Sequence, residues 1–226
     1  MGRFGQNGVP LPRSTLDSSR SRQDRSGLDD LVVAAVDESY SSKRRNLTYL
    51  TVVCSLPDRE RRETLPKAET ALKDPTTHGL IIVNMMLPPW QTGYERATFW
   101  IRGVWYGLKF ANKELNNQGQ QPIGIAFIDG DDPGGFRVFE GLNTGIDVLF
   151  ASKNGTRRYE AGTNPVGVKL LTLADGVVRL VRQKVDEKGN LDSITSQLAE
   201  QQFMYVTFAP ALPGHNGTGL VHMQGQ

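Results

Sequence analysis

Residues 26–40 read SGLDDLVVAAVDESY, the first sustained apolar run of the chain. Leu28, Leu31, Val32, Ala35 and Val36 fall at i, i+3, i+4, i+7 and i+8, the spacing of one face of a helix. Ser26 stands three residues ahead of Asp29, an N-cap pattern, and Asp29 and Asp30 suit the positive end of a helix dipole. The spacing therefore predicts a short amphipathic helix. A helix of that length is marginal in isolation, so its apolar face must dock, either on its own domain or on a second copy of the chain. The second option makes Leu28, Leu31, Val32 and Val36 a self-association face.

Upstream, residues 1–25 are rich in Gly, Pro, Ser and Arg, with Arg3, Arg13, Arg20, Arg22 and Arg25 against Asp17 and Asp24. So little apolar surface cannot offset the entropy of ordering, and the segment is expected to be a disordered basic arm. Downstream, Lys43, Arg44 and Arg45 complete a helix-and-linker region over 26–45. A single globular domain is expected over 46–209, and a Gly-rich, unpatterned, flexible tail over 210–226.

Within the domain, Leu47–Ser55, Gly79–Leu87, Pro122–Ile128, Phe136–Phe139, Gly145–Ala151 and Phe203–Phe208 read as strands. So does Ala97–Val104, while Tyr106–Asn116 fits strand or helix. Val166–Leu173 and Val177–Val185, joined through Ala174-Asp175-Gly176, read as a hairpin, and Asn154-Gly155 as a second tight turn. Short helices are expected at Leu65–Lys73 and Asp192–Gln202. Without regular strand–helix alternation the fold class is α+β, with a largely antiparallel sheet and two or three short helices; an all-β sandwich or barrel is the alternative.

The chain has 226 residues, 38% of them hydrophobic, and a formal net charge of +2. A core of that size needs no disulfide or metal to fold. Cys54 is the single cysteine and sits in an apolar run, which points to an inert buried thiol and a reducing compartment. No signal-peptide core and no span of membrane length is visible. The expected location is therefore intracellular, in the cytoplasm or in a virion, without secretion or a transmembrane segment. The Asn-x-Thr triplets at Asn46, Asn154 and Asn216 are read as chance.

Catalytic signatures are missing: no phosphate-binding Gly-Lys-Ser/Thr loop, no His-Glu-x-x-His, no paired Cys-x-x-Cys and no Gly-x-Ser-x-Gly. Of the three histidines, His215 and His222 fall in the expected tail and His78 precedes a strand. The acidic run from Asp129 through Asp131 and Asp132 to Glu140 overlaps a calcium-loop pattern. Pro133 occupies a ligand position, however, and the flanks read as strands. Asp129, Asp131 and Glu140 are thus weak metal candidates beside the simpler reading of a polar turn, and no cofactor is expected.

The basic residues suggest more. Arg20, Arg22 and Arg25 on the arm, Arg44 and Arg45 in the linker, Arg157 and Arg158 in a loop, and Arg182 and Lys184 could meet phosphates, which require only cations at loose spacing. Trp90, Trp100, Trp105 and Tyr106 could stack on bases or fill the core. Taken together these features lead to a non-enzymatic structural or assembly protein, built like a viral coat or matrix protein, with itself and RNA or an anionic membrane as partners and no small-molecule substrate. The alternatives are a nucleic-acid-binding regulator of suppressor or movement type, and a metal-dependent hydrolase using the Asp129–Asp132 loop.

Overall fold

The computed structural model describes residues 28–130, 145–151, 165–188, 190–192, 194, 196, 198, 204–208 and 220–225. They form an α+β layer structure around a seven-stranded mixed sheet. In chain order the elements are β1 (Val32–Tyr40), β2 (Thr48–Ser55), α1 (Arg59–Glu63), α2 (Ala68–Lys73) and, after a 3-10 turn, β3 (Leu80–Leu87). Then come α3 (Gly93–Asn117), β4 (Ile123–Asp129), β5 (Asp147–Ala151), α4 (Pro165–Lys188), β6 (Met204–Phe208) and β7 (Leu220–Gly225). The strand order is β5-β4-β1-β2-β3-β6-β7. The pairs β1–β2, β2–β3, β3–β6 and β6–β7 are antiparallel, while β1–β4 and β4–β5 are parallel.

The run at 26–40 is the first correction. Its residues 32–40 form β1, an interior strand of the sheet, not a helix. Val32, Val33, Ala34, Ala35 and Val36 are all at most 1% exposed, which a one-faced helix would not require. Alternation sends Val33 and Ala35 to one side and Val32, Ala34 and Val36 to the other. A strand covered on both faces reads as a continuous apolar run, and the β-branched valines suit that pleated, two-sided burial. The expected self-association face is therefore spent inside the molecule: Val32 and Val36 lie in the core under α3, and Leu28 and Leu31 pack on the opposite core. Strands β1 and β7 both belong to the sheet, so it extends beyond the expected 46–209 limits on either side. The arm over 1–25 lies outside the described residues.

The second correction concerns the long helices. Ala97–Val104, expected as a strand, and Tyr106–Asn116 both belong to α3. Its start is fixed by a capping box in which Thr92 and Glu95 cap each other's backbone. Val104, Leu108, Ala111 and Leu115 form its buried stripe. Two glycines let it lie close to the sheet: a Cβ at Gly103 would stand 2.4 Å from Leu87, and one at Gly107 would stand 2.7 Å from Val52. The expected hairpin over 166–185 is the single helix α4. Its stripe of Leu170, Ala174, Val177, Val178, Val181 and Val185 packs on the other face of β1, β2 and β4. The expected strand at Phe136–Phe139 and turn at Asn154-Gly155 lie outside the described residues. No helix among the described residues is long and apolar enough to cross a membrane.

Two buried polar clusters tie the layers together. Arg62, 1% exposed, donates to the carbonyls of Leu28, Leu31 and Ser55 and to Ser55 Oγ, clamping the entry to β1. At the other end of β1, Asp186 of α4 accepts from Ser41 Oγ at 2.8 Å, Tyr49 Oη at 2.8 Å, and Ser42 N and Oγ at 2.8 and 2.9 Å. Burial is the largest single influence on the Asp186 carboxyl and raises its pKa. The four hydrogen bonds together outweigh it and hold the group below the usual carboxylate value. A carboxyl lowered in the folded state contributes stability above its unfolded pKa and loses it as pH falls. Asp186→Ala should therefore cost about 2 kcal/mol near pH 7, because Tyr49 and Ser41 lose a buried partner, and much less near pH 3. Urea unfolding at the two pH values checks this, and an equal cost at both would refute it.

Candidate active site

The three parallel strands β1, β4 and β5 end at one edge of the sheet, and outside such carboxyl ends is where open sheets with parallel strands bind ligands. The last β1–β4 pair is Val36↔Ile128, and the next residue in each strand is an aspartate, Asp37 or Asp129. Val36 and Ile128 both face the core under α3, so alternation turns Asp37 and Asp129 to the α4 face. Asp37 is 5% exposed, and Asp129 is half-buried.

The polar row continues across the sheet. Asp37 pairs with Thr51 and Thr51 with Asn84, and Thr51 Oγ1 donates to Asn84 Oδ1 at 2.7 Å in a buried bond. Asp129, Asp37, Thr51 and Asn84 thus make a polar stripe over four strands, in a layer otherwise filled by residues such as Ala35, Val53 and Phe127. The Asp37 carboxylate also accepts the Glu38 backbone N–H at 2.7 Å. One step further along β1, Ser39 Oγ accepts from Arg182 Nη1 of α4 at 3.1 Å, which places a guanidinium over this end of the sheet.

Glu38 faces the other side. Its Oε1 accepts from Tyr40 Oη and forms an ion pair with Arg96 Nη2 at 3.3 Å. The Arg96 guanidinium stands 4.9 Å from the Tyr40 ring centroid and 5.8 Å from that of Trp90. Burial first, then the Glu38 charge and hydrogen bond, push the Tyr40 hydroxyl well above its ordinary pKa, with Arg96 opposing them. Tyr40 is therefore a hydrogen-bonding group at neutral pH, not a base. Cys54 is buried, and burial pushes its thiol up to about 12, which removes it as a nucleophile.

Of the residues picked out from the sequence, Asp129 falls in this site. Arg44 and Arg45 lie in the β1–β2 loop at the same end of the sheet, and Arg182 and Lys184 lie in the last turns of α4, not on a strand. Arg44 is engaged with Asp192, while Arg45 is exposed. Arg20, Arg22, Arg25, Arg157, Arg158, Asp131 and Glu140 lie outside the described residues. Asp37 escaped the sequence reading, because a helix over 26–40 gives it no special position. The signal was present: an acidic pair closing a run of six apolar residues, Leu31 to Val36.

Among the described residues no three His, Cys, Asp or Glu side chains converge to enclose a metal ion. The donor chemistry still suits one class of ion. Mg²⁺ is commonly held by one or two carboxylates, with waters and substrate phosphates completing its shell, and Asp37 and Asp129 on adjoining strands supply that kind of partial site.

No protein-family model and no curated protein matches the chain. Among solved structures, it resembles a chain of the PCNA:RNase HII complex from Archaeoglobus fulgidus, at 13% identity and a TM-score of 0.41, over 75% of this chain and 89% of that one. It also resembles Ciona intestinalis endonuclease V in complex with an inosine-containing 24mer DNA, at 14% identity and a TM-score of 0.35, over 59% of this chain and 53% of that one. The expected assembly helix is an interior strand, which removes the feature on which the expectation of a non-enzymatic viral structural protein rested.

Proposed function

We propose that the protein is a metal-dependent hydrolase of phosphodiester bonds in nucleic acid. The observation that carries this reading is the pair Asp37 and Asp129 at the carboxyl ends of adjoining parallel strands. Substrate charge is the second consideration. Arg45 in the β1–β2 loop and Arg182 over Ser39 bring cations to the same end of the sheet, and phosphate contacts need no more exact spacing. The reading agrees with the activities named for the two structural neighbours but rests on this chain's own carboxylates.

Asp37 and Asp129 would hold a divalent cation, which when bound supplies Lewis-acid polarisation of a phosphoryl oxygen and a more acidic water. The protein's own residues do the rest. Thr51 and Asn84 satisfy each other and fix the floor beside Asp37. Arg182 holds Ser39 and sets α4 as one wall. Arg45 offers a phosphate contact from the β1–β2 loop.

The test is cleavage of end-labelled single-stranded and duplex RNA and DNA by the full chain. Products should form with Mg²⁺ or Mn²⁺ and vanish with EDTA. Equal cleavage in EDTA, or none with any of these substrates and ions, would overturn the proposal.

A further inference from the structure

The loop from Ser41 to Leu47 joins β1 to β2 at the end of the sheet where Asp37 lies, and it is tied to a distant helix as well as to itself. Within the loop, the Ser41 N–H donates to the Leu47 carbonyl at 2.9 Å and the Leu47 N–H to the Arg44 carbonyl at 3.0 Å. Ser41 Oγ accepts from the backbone N–H groups of Lys43 at 3.2 Å and Arg44 at 2.9 Å. The same hydroxyl donates to Asp186 Oδ1, and Asp186 Oδ2 accepts from Ser42 N and Oγ. Ser41 and Asp186 are both buried. One carboxylate of α4 therefore holds the turn through the hydroxyl that organises it.

The cations of this loop, Lys43, Arg44 and Arg45, divide into two kinds. Lys43 Nζ donates to the Asp186 carbonyl and Arg44 pairs with Asp192, so both are drawn towards α4 and the residues just beyond it. Arg45, the next residue, stays exposed. Asp186 also connects to the other cation at this end of the sheet. Arg182, one turn earlier on α4, donates to Ser39 Oγ. Ser39 pairs with Tyr49, and Tyr49 Oη donates to Asp186 Oδ1. By charge alone, a carboxylate near phosphate-contacting cations weakens anion binding. Any gain that Asp186 brings must come from what it holds.

We propose that Asp186 is a positioning residue for nucleic acid: through Ser41 and Ser42 it fixes the β1–β2 loop so that Arg45 is presented to a backbone phosphate. A loop fixed in advance loses less conformational freedom when the phosphate binds. That this phosphate belongs to the strand cleaved at Asp37 and Asp129 rests on the hydrolase reading. The presentation of Arg45 does not.

Binding is measured with the full chain in EDTA, by fluorescence anisotropy of fluorescein-labelled 20-mers of single-stranded RNA and duplex DNA across a range of salt concentrations. Arg45→Ala should weaken binding about fivefold at about 0.1 M salt and flatten the slope of log K against log salt by about 0.7 to 0.9, the loss of one phosphate contact. Asp186→Asn and Ser41→Ala should each weaken binding about threefold and flatten the slope in the same way. Adding Arg45→Ala to either should cost little more, because the contact is already lost. The sign is diagnostic in Asp186→Asn, which removes a negative charge and would tighten binding if charge alone mattered. Ser41→Ala leaves every charge in place. Partial unfolding lowers the active fraction without changing the salt slope. Circular dichroism checks the fold of each variant, and Ser41→Ala decides the matter if Asp186→Asn does not fold. Binding by these two variants as tight as that of the unaltered protein, or losses that add fully to that of Arg45→Ala, overturns the positioning role. Normal binding by Arg45→Ala overturns it too, as does an unaltered protein that binds neither 20-mer. Metal-dependent cleavage with normal binding by the variants would sustain the hydrolase and remove the positioning role. Coupled losses of binding without cleavage under any divalent ion would do the reverse.

Discussion

Asp37→Asn will lower metal-dependent cleavage by about 10³-fold or more while leaving the fold intact. The size follows from the several kcal/mol that a correctly held cation contributes to a phosphoryl transition state, at about 1.4 kcal/mol per factor of ten. Asparagine keeps the shape of the side chain and can still accept the Glu38 N–H, so stability should stay within about 1 kcal/mol. Asp129→Asn should act in the same direction. Glu38→Gln is the informative contrast. It is the next residue along the strand but points to the other face and pairs with Arg96, so its effect on single-turnover cleavage should be under tenfold. If Glu38→Gln proved as damaging as Asp37→Asn, the reacting groups would lie on the α3 face and the present assignment would be wrong.

The second large effect concerns stability. Arg62→Met should destabilise the protein by about 3 kcal/mol, because Ser55 Oγ and the Ser55 carbonyl lose a donor in a buried position. Burial lowers the pKa of this arginine, and Asp29 and Asp58 oppose that shift. The guanidinium is held by its partners, not by water. Arg62→Lys keeps the charge but cannot reach Leu28, Leu31 and Ser55 together, so its loss should be intermediate. Urea unfolding with an unchanged slope gives the values, and a loss below about 1 kcal/mol in Arg62→Met would show that the entry to β1 is held by packing alone.

Much of the sheet could be read in the sequence. Thr48–Ser55, Leu80–Leu87 and Ile123–Asp129 are short, β-branched or apolar, and bounded by turn residues, so their local preference and final state agree. The failures came where two periods overlapped. Leu28, Leu31, Val32, Ala35 and Val36 satisfy a helical spacing by accident, because nearly every position in a strand buried on both faces is apolar. In α4, Ala174-Asp175-Gly176 mimics a hairpin turn, although Leu170, Ala174, Val177, Val181 and Val185 carried the helical period throughout. In α3, glycines and aromatics lower the intrinsic helical preference, and the close approach to Leu87 and Val52 explains Gly103 and Gly107. Of the proposed carboxylate pair, Asp129 could be picked out from its acidic run. Asp37 could not, since its significance depends on lying beside Asp129, a relation that only strand pairing creates.

The parallel pairing of β1 with β4 has a consequence for how the molecule comes into being. Hairpin partners such as β1 and β2 meet early, because they are near in sequence and little loop entropy is lost. Asp37 and Asp129 become neighbours only when β4 returns across α3 to lie along β1, a contact between distant parts of the chain. Non-local parallel pairing is intrinsically slow. A nascent or truncated chain ending before β4 would therefore carry the hairpin meander without any paired carboxylates. Recovery of the proposed cleavage on refolding would report the completion of topology, lagging behind the recovery of secondary structure.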